Sequence, residues 1–103
     1  MPMRSAVSNQ AEIDRRIKEV ARKLAPDVVR IRYAITSDST GEEAIFLRIL
    51  LSDEASRERR LRSVTERIES ELLAAIPFDD FGLYQYFRYR NRSEHAMLKE
   101  PAW

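Results

Sequence analysis

The chain has 103 residues, 18 basic against 17 acidic, for a net charge of +1. That is one domain's worth of chain, and 44% apolar with 34% charged residues describes a folding rather than a disordered composition. The absence of cysteine excludes disulfides and thiolate chemistry, and no apolar run approaches the ~20 residues of a membrane span. The first twenty residues also lack the apolar stretch of a secretory leader, so the expected location is the cytoplasm.

Residues 1–8 carry no periodicity and read as a frayed start. Asn9 and Glu12 have capping-box spacing. Ile13, Ile17, Val20, Ala21 and Leu24 then recur at helical spacing, and Pro26 ends the pattern. The spacing predicts an amphipathic helix over 10–24. Glu12–Arg16, Asp14–Lys18 and Glu19–Lys23 are set four apart on its polar side. The period then changes to two. Val29, Ile31, Tyr33 and Ile35 alternate with Arg30, Arg32, Ala34 and Thr36, which predicts a half-buried strand over 28–36. A polar loop, 37–43, leads to a second strand over 44–51. One of its faces carries Ile45, Leu47, Ile49 and Leu51, and the other Ala44, Phe46, Arg48 and Leu50. The two runs predict an antiparallel hairpin.

Ser52-Asp53-Glu54 supplies cap and dipole signals for a second helix over about 54–75, with an irregular first turn around Ser56 and with Leu61, Val64, Ile68, Leu72 and Ile76 on one face. Glu58–Arg62 and Arg67–Glu71 are expected to pair on its solvent side. Residues 78–82 read as a turn and 84–90 as a third strand, followed by a short tail over 91–103 with one or two helical turns before Pro101. The order α-β-β-α-β in a single domain predicts an α+β two-layer sandwich, with both helices on one face of a three-stranded, mainly antiparallel sheet. The expected strand order is 2-1-3.

Helices on one face leave the other open. Alternation assigns Arg30, Arg32, Phe46, Arg48 and Leu50 to it. In the third strand Tyr84, Tyr86, Arg88 and Arg90 are expected outward, with Leu83, Phe87 and Tyr89 inward; a one-residue bulge would swap these sets. Arginines interleaved with aromatics are the favoured hot-spot residues of protein interfaces. The same set can clamp single-stranded nucleic acid, or it can be cross-strand cation–π packing on a solvated face. A near-neutral charge and a face without lysine weigh against nucleic acid. Trp103, the single tryptophan, reads either as an anchor on the body or a partner, or as a frayed end.

Little points to chemistry. With one histidine, His95, and no cysteine, no zinc ligand set can be written. Two distant glycines exclude the usual phosphate-cradling loops. Asp79-Asp80 reads as turn chemistry before Gly82, and Asp38, Glu42 and Glu43 as a solvated loop. Glu94 and His95 form the one acid–base pair in view. No nucleophile has a visible base and orienter. The expectation is a non-catalytic protein with no cofactor and no metal.

The segments EEAIFLRILLSDEASR, at 42–57, and LYQYFRYRNRSEHAMLKEPAW, at 83–103, resemble a group of small uncharacterised bacterial proteins. The resemblance covers most of the chain from residue 28 onward. It implies one half of a two-gene, toxin–antitoxin-like module whose partner is a small helical HEPN-type protein. The Gly-Ser and paired-Asp signature of the minimal nucleotidyltransferases that accompany such partners is missing, so their activity is not implied. The helix-strand-strand-helix order also resembles the cytosolic domain of cation efflux transporters, but without His-rich metal ligands. The reading is an interaction module that uses the open face, with Trp103 as a further anchor. Its partner would be itself, as a dimer, or another small protein, with no membrane contact. A single-stranded nucleic-acid-binding domain on the same face is the alternative.

Overall fold

The computed structural model describes residues 9–103; the start expected to fray, 1–8, lies outside them. Helix α1 (Gln10–Lys23) forms where the 3.6-residue period predicted it and buries Ile13, Ile17 and Val20. Asn9 is its N-cap residue, but its side chain makes no capping hydrogen bond. Two of the three expected ion pairs form within α1, Glu12–Arg16 at 2.7 Å and Asp14–Lys18 at 2.8 Å. The third does not. Glu19 meets Arg15 instead, and Lys23 reaches across to Glu71.

Strands β1 (Val28–Ser37) and β2 (Glu43–Leu51) pair antiparallel as expected. Val28 sits opposite Leu51 and Arg30 opposite Leu50, so Val29 is an extra, bulged residue. Val28 rather than Val29 is therefore the buried residue, and the bulge restores Arg30 to the outer face.

The strand order is β1-β2-β3, not the expected 2-1-3, with β3 (Tyr84–Asn91) parallel to β2. The sheet is thus mixed, with one antiparallel and one parallel pair, rather than mainly antiparallel. The reason lies in β2, the most buried strand, whose inner face is wholly apolar and whose Ala44 and Leu50 are buried on the outer face; the middle position gives it neighbours on both sides. β1 carries Arg30, Arg32 and Thr36 on its outer side and suits an edge. A parallel pair needs a crossover, which α2 (Glu58–Ala75) supplies.

The irregular turn expected around Ser56 forms as a separate unit, and the regular part of α2 starts after it, at Glu58. The Ser52 hydroxyl accepts the Ala55 N–H and closes a separate turn. Helical structure begins only after the extended Arg57. Its solvent-side pairs also differ from expectation, since Arg62 joins Glu66 and Glu71 takes Lys23. Its last turn carries no basic residue. Arg16 of α1 donates to the Ala75 carbonyl at 2.6 Å and puts a cation at that negative helix end.

Both helices share one core. Ile13, Ile17 and Val20 meet Val64, Ile68 and Leu72 over Ile45, Leu47, Ile49 and Leu51, and Phe78, Phe81 and Leu83 belong to the same cluster. The tail is more ordered than the sequence implies. A third helix, α3 (Arg92–Leu98), starts at a complete capping box between Asn91 and Glu94. Asp53, expected to cap α2, instead accepts the Ser93 N–H and hydroxyl at 3.1 and 2.7 Å and pins α3 to the turn after β2. Among the described residues no helix is long and apolar enough to cross a membrane.

Candidate interaction face

The strand register arranges the sheet face opposite α1 and α2 in four cross-strand rows. From the hairpin-loop end they are Thr36/Ala44/Tyr84, Ala34/Phe46/Tyr86, Arg32/Arg48/Arg88 and Arg30/Leu50/Arg90. Every residue assigned to this face from alternation lies on it. No bulge interrupts β3, so Tyr84, Tyr86, Arg88 and Arg90 project together, while Phe87 and Tyr89 pack on the core. Burial and a 2.6 Å hydrogen bond to Glu69 push the Tyr89 hydroxyl well above its ordinary pKa.

The loop end of the face is bare and aromatic. Phe46 and Tyr86 stack across strands, with centroids 5.1 Å apart and planes at 12°. Tyr84 remains 58% exposed and Tyr86 42%. The Tyr86 hydroxyl donates to Asp38 Oδ2 at 2.9 Å. Asp38 also accepts from Thr40 and from the Glu42 N–H. These hydrogen bonds, the Thr40 hydroxyl's first, hold its carboxyl below the ordinary value. Asp38 therefore ties the hairpin loop to the edge of the aromatic row.

The opposite end is covered by the chain itself. Leu50 and Trp103 are only 4% and 6% exposed, and neither belongs to the main core. The Trp103 carbonyl accepts from Arg30 through Nε at 3.0 Å and also through Nη2. The Arg90 guanidinium lies 4.4 Å from the centre of the indole ring and 3.2 Å from the Glu100 carboxylate. Arg32 donates to the Pro101 carbonyl at 2.7 Å. Arg30 and Arg90 flank Leu50 in the register, so the tail closes over that row. Burial, then the charge of Arg32, pulls the Arg30 pKa down. Trp103 is thus an anchor on the protein's own sheet. Of the nine residues singled out from sequence, Arg30, Arg90 and Trp103 hold each other, and Arg32 is shared with the tail. Phe46, Arg48, Tyr84, Tyr86 and Arg88 remain on the uncovered part.

Sequence reasoning missed Glu100 and Pro101, which hold the tail, and Asp53, which anchors α3. An acidic residue immediately before Pro101-Ala102-Trp103 was the available signal for Glu100. The other candidates are dispersed, Asp38 meeting the face at Tyr86 and His95 meeting it at Arg30, at opposite ends. Asp79 and Asp80 lie in the 77–82 turn, with Asp79 accepting the Gly82 N–H through its carbonyl. His95 lies under the tail, its Nε2 3.5 Å from Arg30. Among the described residues no group of three His, Cys, Asp or Glu side chains is placed to hold a metal ion.

No family model matches the chain, and no curated protein matches it. Two solved structures share its fold, both substituted forms of the MamM CTD. They have TM-scores of 0.52, are 14% and 13% identical, and align over 82% of this chain and 98% of theirs. The α-β-β-α-β order is therefore one that solved structures contain.

Proposed function

We propose that the protein is a non-catalytic interaction module whose working surface is the uncovered part of the open sheet face. Its partner is a second copy or another small protein. A two-gene, antitoxin-like setting is the one that its resemblance to small bacterial proteins favours. The observation that carries the reading is the stacked aromatic row of half-buried Phe46 and exposed Tyr86 beside two arginines, Arg48 and Arg88. No described residue hydrogen-bonds or ion-pairs with those two guanidiniums. Aromatic rings give large contact area at low ordering cost, and the planar arginine fork adds several donors and a stacking face, which is why both are enriched among interface hot spots.

Light scattering over a range of concentrations, with and without candidate partner proteins, tests the proposal. The expected result is a species heavier than the 12.1 kDa chain, about 24 kDa for a dimer. Tyr86→Ala with Arg48→Ala returns it to the single-chain mass with an unchanged circular dichroism spectrum. Assembly that survives the double substitution overturns the assignment of the face.

A further inference from the structure

Resting on that reading, we infer that the partner segment seated on the face is acidic. It is an extended peptide carrying two carboxylates at alternate positions, bound by the row Arg32–Arg48–Arg88. The row is the first argument. Arg32 lies opposite Arg48, and Arg48 opposite Arg88, so three guanidiniums project side by side from adjacent strands roughly 4.8 Å apart. Like charges opposite one another destabilise a sheet. Across the row, no described carboxylate lies within ion-pairing distance, and the one polar contact is Arg32 to the Pro101 carbonyl. Asp38, the nearest acid at the aromatic end, is committed to Tyr86 and to its own loop. The row thus carries an unfavourable arrangement of charge that an anionic ligand would relieve.

The tail is the second argument, because it shows what the neighbouring row accepts. Arg30 and Arg90 hold a peptide by its carbonyl, by the Glu100 carboxylate and by an indole ring. The same chemistry one row along has donors and no carboxylate. Residues two apart in an extended peptide are about 7 Å apart, a spacing that three flexible guanidiniums over roughly 10 Å can meet together. A cavity of about 640 Å³ starts at Arg32 and Arg48, passes Ala102 and rounds the β1 edge to Ile31 and Tyr33. It offers an apolar side chain of the same peptide a place beside the row.

Fluorescence anisotropy with labelled hexaglutamate tests the assignment, with labelled oligothymidylate of equal charge as the rival polyanion. Hexaglutamate is expected to bind saturably. Arg48→Glu with Arg88→Glu should weaken it at least about tenfold, while Arg22→Glu with Arg59→Glu on the helix side leaves it unchanged. Two results overturn the inference: no saturable peptide binding, and oligothymidylate bound more tightly than the peptide. A second readout guards against misfolding. Arg48→Thr, which relieves the charge row, is expected to raise the Tm of the free protein by a few degrees, and a lowered Tm would assign Arg48 a structural role. Failure here is distinct from failure of the interaction reading, since assembly by light scattering that is lost in Tyr86→Ala alone, with no hexaglutamate binding, keeps the face as an interface and removes only the acidic partner segment.

Discussion

The two ends of the open sheet face use one vocabulary, arginine with aromatic rings, and meet different fates. At the Arg30/Leu50/Arg90 end the guanidiniums find a carbonyl, a carboxylate and an indole from the same chain, and the apolar residue between them is buried. At the Phe46/Tyr86 end the rings stack on each other and leave Tyr86 in water and Phe46 half-buried, and the adjoining Arg48 and Arg88 meet nothing of opposite charge among the described residues. The difference teaches that such a surface is not intrinsically an interface. It becomes internal wherever the chain supplies its own complement, and it stays available where the chain does not.

Substitutions sharpen that contrast. The largest effect is expected for Leu50→Ala, because a buried leucine under the tail loses its packing and leaves a cavity. The expected cost is about 2–5 kcal/mol in denaturant unfolding, against about 1 kcal/mol for Phe46→Ala at the bare end. Trp103→Ala comes next, at about 1–2 kcal/mol. Its cost is capped by the free energy of docking the tail, since α3 can detach while the core stays folded. Hydrogen exchange should therefore accelerate across 92–103 and not in β2, and uniform acceleration would show that the tail belongs to the core's cooperative unit.

A pH titration probes the same docking. The Ser93 hydroxyl and N–H hold the Asp53 carboxyl below its ordinary value of 3.8. Its contribution is present above that pH and is lost as pH falls through the lower folded value. Fluorescence of Trp103, the sole tryptophan, should stay constant from neutrality to about pH 5 and shift towards that of exposed indole below about pH 4. Asp53→Asn should move the transition. The smallest effect is a sign. Arg30→Thr loses two donors to the Trp103 carbonyl and should destabilise, whereas Arg48→Thr should gain up to about 1 kcal/mol. Equal losses at both positions would erase the distinction between the ends.

Much of this was legible before folding. The helical period placed α1 and the core face of α2. The two-residue period placed all nine strand residues it assigned to the open face, because side-chain alternation is a local property of extended backbone. The strand order was not read, although its signal was present in β2, whose Phe46 and Leu50 put apolar groups on its outer side as well. Turn and cap chemistry was misassigned at Ser52-Asp53-Glu54, because a carboxylate near a helix start can as well serve a distant one. The ion pairs Glu19–Lys23 and Arg67–Glu71 gave way to partners on the same helix or its neighbour.

The sequence by itself determined the main helical and extended segments and, outside the Val29 bulge, the side each strand residue faces, since these follow from short-range periodicity and the cost of leaving apolar groups in water. Tertiary structure decided which of the face residues meet one another. The row Arg32–Arg48–Arg88 joins positions up to 56 apart in sequence. The seat of Trp103 between Arg30 and Arg90 spans up to 73. Such meetings depend on register and strand order, which are set by the packing of the whole core and not by any local run of residues.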